Sequence, residues 1–113
     1  MERISDMATE PPLGDDLRFD DLLIRPWLQV AERDDVVIEL SANLFKLLYF
    51  LASHPRQVFT REELMSEVWH YDCVDDSRTV TVQMARLRQK VERNPDNPRH
   101  LRTVWRVGYK FMP

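Results

Sequence analysis

SRTVTVQMARLRQKVERN, residues 77 to 94, presents two different surfaces on one helical repeat. At 100° per residue, Val80, Met84, Leu87 and Val91 fall on one line, spaced i, i+4, i+7 and i+11, which is the apolar stripe of an amphipathic helix. Core packing claims that face. The opposite face carries Arg78, Val82, Ala85, Arg86, Gln89 and Arg93, so guanidinium groups alternate with small or apolar side chains. A DNA groove accepts such a mixture: arginine reaches phosphates or the acceptor edge of guanine, a small residue lets the backbone approach, and an apolar one meets a thymine methyl. An ordinary solvated helix can carry the same basic face, so the rest of the chain has to decide between the two.

Charge is informative only when it is divided. The whole chain holds 16 Lys and Arg against 19 Asp and Glu, a net −3, which taken alone argues against a nucleic-acid partner. From Ser77 onward, however, nine basic residues (Arg78, Arg86, Arg88, Lys90, Arg93, Arg99, Arg102, Arg106, Lys110) stand against two acids (Glu92, Asp96), a net +7. Residues 1 to 76 hold seven basic against seventeen acidic, a net −10. If folding keeps the two parts separate, the chain is a charge dipole whose basic end is drawn to a polyphosphate and whose acidic end is repelled by it.

The 113 residues make one domain's worth of chain, and a 43% hydrophobic content with three Trp and five Phe fills one modest core. A lone Cys73 forms no internal disulfide and fits a reducing compartment. His54, His70 and His100 have no ligand-like spacing with each other or with Cys73, so no metal is expected. No apolar run approaches the roughly 20 residues that cross a bilayer, and the start lacks the apolar centre of a signal peptide. The expectation is a cytoplasmic chain with no membrane partner.

In chain order, residues 1–16 are polar, acidic and interrupted by Pro11, Pro12 and Gly14, as in a linker or disordered tail. Short extended pieces follow at Leu17 to Asp20, Leu22 to Arg25, Trp27 to Glu32 and Val36 to Leu40, the last alternating Val36, Ile38 and Leu40, and predict an antiparallel sheet of three or four strands. Ser41 caps a helix from about Ala42 to His54, with Leu44, Leu47, Leu48 and Leu51 inward and Pro55 closing it. Thr60 and Glu63 form a capping box that opens a second helix to about Trp69, with Leu64 and Val68 inward. An acidic connection, HYDCVDD, separates it from the basic helix. Beyond that helix, Asn94-Pro95 and Asn97-Pro98 end the helical pattern, and HLRTVWRVGYKFMP predicts a hairpin turning near Arg106 to Gly108. Such a hairpin either serves as a second DNA-binding arm or only covers the core.

Four stretches in this order carry a resemblance: LSANLFKLLYFLASHP, VFTREELMSEVW, DDSRTVTVQMARLRQKVE and PRHLRTVWRVGYKF. Residues 40 to 113 resemble the OmpR/PhoB-type winged-helix DNA-binding domain of bacterial two-component response regulators, and residues 17 to 39 fit the sheet that precedes it. The implied fold is α+β: a small N-terminal antiparallel sheet, three helices, and a C-terminal hairpin as the wing. The domain is expected over residues 17–113.

The resemblance implies a transcription factor without catalysis or cofactor, bound as a homodimer to direct-repeat sites on double-stranded DNA. It places DNA contacts at Arg78, Thr81, Val82, Gln83, Arg86, Arg88 and Lys90 on a recognition helix 78–93. Arg86, with Val82 beside it, would meet bases, and the others phosphates. In the wing, spanning 100–112, Thr103 matches a backbone-contacting position. Tyr71, Asp72, Asp75 and Asp76 fall on the loop that faces RNA polymerase. Where the family carries Arg-Gly-x-Gly-Tyr, this chain has Trp105-Arg106-Val107-Gly108-Tyr109, so the minor-groove arginine is missing; either Arg106 replaces it or the wing reads DNA weakly. The lost glycine suggests an altered turn, since arginine tolerates positive φ poorly. Leu44 stands where a capping glutamate is usual, and Arg56 where a glycine is common.

No stretch resembles a phosphoacceptor domain. A receiver domain and sensor kinase are therefore expected only if the chain belongs to a longer regulator; the alternative is a stand-alone regulator. The reading from another class is a winged-helix module that binds an acidic protein. No nucleophile and base pair, glycine-rich phosphate loop or metal-spaced set points to an enzyme.

Overall fold

Aspartates shape the first half of the molecule. The computed structural model describes residues 15–69 and 78–113 and begins with four strands, β1 (Leu17–Phe19), β2 (Leu22–Arg25), β3 (Val30–Arg33) and β4 (Val36–Glu39). Each pairs antiparallel with the next, so that Leu17 lies opposite Ile24, Ile24 opposite Ala31, and Ala31 opposite Ile38. Two-residue loops join β1 to β2 and β3 to β4. There Asp20 (φ 56°), Asp34 (φ 53°) and Asp35 (φ 67°) adopt the left-handed backbone that tight hairpin loops require and that aspartate tolerates better than most side chains.

Within this sheet, two details differ from the sequence expectation. The third strand begins at Val30, because Trp27 to Gln29 form a turn closed by Leu28 N–H to Arg25 O and Gln29 N–H to Pro26 O, both 3.2 Å. The alternation of β4 does not bury Val36, which is 65% exposed. β4 is an outer strand, and only Ile38 and Leu40 near its end pack against the core.

Helix α1 (Ala42–Ala52) opens at Ser41, whose Oγ accepts the Leu44 N–H at 3.2 Å. Leu44, Leu47, Leu48 and Leu51 are buried as their spacing predicts. Position 44 serves the core instead of the cap: its side chain is packed inside. The helix stops two residues before His54, ahead of Pro55. Strand β5 (Phe59–Thr60) leads into α2 (Arg61–Leu64), where Thr60 Oγ1 accepts the Glu63 N–H at 3.0 Å and Glu63 Oε1 accepts the Thr60 N–H at 2.8 Å. The predicted capping box is therefore formed. α2 widens into a π-type turn at Met65–Trp69, with Leu64 and Val68 buried.

Helix α3 (Arg78–Val91) ends two residues before the expected Arg93. Val80, Met84, Leu87 and Val91 are each at most 1% exposed, and burial of such a side chain contributes about 1.5–3 kcal/mol. Strands β6 (Leu101–Val104) and β7 (Gly108–Phe111) form the C-terminal hairpin, and β5 pairs with β7 to give the order β5-β7-β6. Gly108 is required by that pairing: a Cβ there would lie 1.9 Å from Phe59 O. Phe19 of β1 packs on Phe111 of β7 at 4.7 Å between ring centroids, joining the first sheet to the hairpin.

Candidate nucleic-acid interface

With its apolar stripe buried, α3 turns Thr81, Val82, Ala85, Arg86, Gln89 and Lys90 to solvent. Val82 is 47% exposed, which for a valine on a folded helix leaves an apolar spot beside Arg86. Gln83 and Arg88 lie half-buried on the flanks. Arg78 opens the helix, but its side chain lies outside the described residues. Tyr71, Asp72, Asp75 and Asp76 also lie outside them.

Arg88 and Thr103, both expected at the DNA backbone, are bonded to each other. Arg88 Nη2 donates to Thr103 Oγ1 at 2.8 Å and Nε donates to Leu101 O at 3.0 Å, while the guanidinium carbon lies 5.6 Å from the Tyr109 ring centroid. Burial lowers the Arg88 pKa, partly offset by Tyr109 and Glu92, yet an arginine starts so far above neutrality that the group stays cationic. Any phosphate these residues meet is therefore met by a joined helix–hairpin pair.

The charge dipole is only partly realised. Arg93 Nε donates to Asp21 Oδ2 at 2.8 Å and its Nη2 pairs with Asp34 Oδ2 at 2.6 Å; Arg99 pairs with Asp20. The hydrogen bonds that Arg93 donates to Asp34 and then to Asp21 raise its pKa. Arg33 of β3 donates to Val91 O at the C-terminal end of α3, where a cation also complements the helix dipole. Tertiary folding thus brings acidic turns from the first half onto basic residues of the second. Among the described residues of the second half, Arg86, Lys90, Arg102 and Arg106 are exposed cations away from this latch.

Glu92 is a residue that sequence reading missed. It is 4% exposed, and its carboxylate accepts three amides: Arg99 N–H at 2.8 Å, His100 N–H at 3.0 Å and Leu101 N–H at 2.8 Å. The hairpin is thereby fixed to the end of α3. The only local signal was its place beside the buried Val91, which does not distinguish a buried acid from a solvated one.

At the hairpin tip, Val107 N–H bonds Val104 O at 2.9 Å. Arg106 occupies the third position of that turn with φ 67°, where glycine is favoured. Arg106 thus adopts the left-handed backbone that arginine was expected to tolerate poorly. Arg56 does the same at φ 71°. Trp105 is 81% exposed and Val107 51%. An open cavity of about 210 Å³ separates the hairpin from Arg61.

Among the described residues, no group of three His, Cys, Asp or Glu could hold a metal ion, and no helix is long and apolar enough to cross a membrane.

Comparison with known proteins adds to this geometry. The family described as transcriptional regulatory protein, C terminal, matches residues 34–111. The transcriptional regulatory protein SrrA of Staphylococcus aureus is 39% identical over 104 residues, covering 91% of this chain and 43% of that protein. The chain thus spans less than half the length of the curated relatives it matches. Among solved structures, the DNA-binding domain of RstA from Klebsiella pneumoniae, in complex with the RstA box, superposes with a TM-score of 0.77 at 31% identity, covering 88% of this chain and 98% of that one. The Thermotoga maritima OmpR/PhoB homologue DrrB gives 0.81 at 30% identity, covering 88% and 45%. These likenesses match the α+β winged-helix architecture expected from the sequence.

Proposed function

We propose that this chain, which belongs to the family of transcriptional regulatory protein C-terminal domains, binds double-stranded DNA in a sequence-specific way through α3 and the C-terminal hairpin. That family is one of transcription regulators and not an enzyme class. The observation that carries the reading is the outer face of α3. Its arginine-bearing surface is free while its other face is locked into the core, so Val82 and Arg86 can enter a major groove without rearrangement. RstA, with its DNA-binding domain solved in complex with the RstA box, supports the same reading.

In this proposal Arg86 meets base edges and Val82 the adjacent apolar surface. Arg78, Thr81, Gln83 and Lys90 flank them at the phosphates, and the Arg88–Thr103 pair sets the angle between helix and hairpin. Residues 17–113 act as the binding unit and residues 1–16 as a linker or tail. As the C-terminal part of a longer cytoplasmic regulator, the unit would follow a receiver domain answering to a sensor kinase, pair as a homodimer on direct repeats, and present residues 71–76 to RNA polymerase.

The test is a titration of labelled random-sequence duplex DNA at low and near-physiological salt, with circular dichroism confirming the fold. Steep loss of binding with salt, and enrichment of a short repeated motif from the pool, are expected. A folded protein that binds no duplex at low salt would overturn the reading and favour an acidic protein partner.

A further inference from the structure

The hairpin tip carries a feature that cationic phosphate binding does not use. Of the exposed large hydrophobic side chains among the described residues, Trp105 is the most open at 81%, followed within the hairpin by Val107 at 51%. This apolar pair brackets Arg106 on a base that cannot readily flex. Val104 pairs with Gly108, Gly108 is pressed against Phe59 O, and Arg88 ties β6 to α3. A rigid projecting indole adds contact at small ordering cost.

The surroundings point to the chemistry of its partner. From Asn97 to Pro113 the chain has no acidic side chain and four Lys or Arg residues, Arg99, Arg102, Arg106 and Lys110. Arg99 is held by Asp20, and Arg102, whose Nε donates to Arg99 O at 2.9 Å, lies opposite the half-buried Lys110 two pairs back from the tip, where Arg106 is the exposed cation. An apolar wedge flanked by cations suits a surface that is anionic along its edges and apolar within. The DNA minor groove has this character, with phosphates along the rims and deoxyribose faces on the walls, and inserted apolar side chains are a known means of holding it. A hairpin fixed to the flank of a helix lying in the major groove lies within reach of the neighbouring minor groove.

We propose that Trp105 makes a non-ionic contact in the minor groove, its indole packed on deoxyribose or a partly unstacked base step, while Arg102 and Arg106 hold the phosphates on either side. The inference rests on the DNA-binding reading above. It assigns the position where the family's arginine is missing a contact of a different kind, neither silent nor a displaced cation. The consequence is a separation of two signals: the indole adds affinity that salt does not screen, and the neighbouring arginines add affinity that salt removes.

The experiment measures binding to the random-sequence duplex pool and to its enriched duplexes across a salt series, for the wild type, Trp105→Ala, Trp105→Phe and Arg106→Ala. Trp105→Ala is expected to bind about tenfold more weakly at every salt concentration, with the log K against log salt slope unchanged. Trp105→Phe should recover part of that loss, and Arg106→Ala should flatten the slope by about one unit. Addition of DNA should shield wild-type tryptophan fluorescence from acrylamide, and this shielding should be lost in Trp105→Phe. Circular dichroism and urea midpoints close to wild type show that the exposed substitution leaves the fold intact. Equal affinity of Trp105→Ala and wild type would overturn the proposal while leaving DNA binding in place, and would turn the tip toward a protein partner. Absence of binding by the wild type itself would remove both.

Discussion

The two ends of the basic segment use the same side chain for opposite purposes. Along the middle of α3, Arg86 and Lys90 stand exposed beside Val82. Past the end of the helix, Arg93 and Arg99 are committed to Asp21, Asp34 and Asp20, and on the flank between, Arg88 is committed to the hairpin. A count of cations treats them alike. Their partners separate those available to an anionic ligand from those that hold neighbouring elements together. The lesson is that net charge along a segment overstates the charge it can offer a partner.

Removing Glu92 should break this arrangement most severely. Glu92→Ala leaves three amides without their acceptor, those of His100 and Leu101 buried and that of Arg99 part-buried, and a stability loss of about 3 kcal/mol is expected, measured by urea denaturation followed by circular dichroism. The free and committed arginines should then divide cleanly. Arg86→Ala should cost roughly 1–3 kcal/mol in binding to the enriched duplex and relax its sequence preference while leaving the urea midpoint in place. Arg88→Ala should lower stability by about 1–3 kcal/mol through its lost hydrogen bonds to Leu101 O and Thr103 Oγ1. An Arg88→Ala protein as stable as wild type would show that the clamp contributes nothing.

Much of this was legible from side-chain spacing. The leucines of α1, the stripe of α3 and the Thr60–Glu63 box are local patterns, and each lies where its period placed it. The candidate surface residues Val82 and Arg86 were legible for the same reason, since the face opposite a buried stripe is exposed by geometry. What could not be read were contacts between residues far apart in the chain. Nothing near Arg93 signals Asp21 or Asp34, and nothing near Arg88 signals Thr103 as its partner. The left-handed backbone at Arg106 was not legible either, because a sequence rule weighs one residue's preference, whereas the paired strands and the tight fit of Gly108 against β5 impose the backbone on whatever residue occupies the position.

That imposed backbone gives a smaller prediction. An L residue in the left-handed region carries about 1–2 kcal/mol of strain, part of which glycine's greater freedom in the unfolded chain offsets. Arg106→Gly is therefore expected to raise stability by up to about 1 kcal/mol, read as a higher urea midpoint, while losing the cation at the tip. A lower midpoint would mean that the Arg106 side chain contributes more to the fold than its backbone costs. The smallest effect is expected for Arg93→Ala. Arg93 is exposed, and surface ion pairs contribute little and fade with salt, so the stability difference from wild type should shrink toward zero as salt is raised. A difference independent of salt would mean that the latch is not electrostatic.

Glu92 also bears on the order in which the molecule assembles. It binds amides 7, 8 and 9 residues ahead of it, a span short enough to close at small entropic cost. Arg93 and Arg99 reach aspartates 59, 72 and 79 residues away, and closing such long loops is slower. Helix and hairpin should thus become one unit early, with the four-stranded sheet docking later. Loss of Glu92 would then act mainly on the folding rate, and loss of Arg93 mainly on the unfolding rate. Kinetically, the helix and hairpin proposed to meet DNA would be the nucleus, and the acidic sheet the closing clasp.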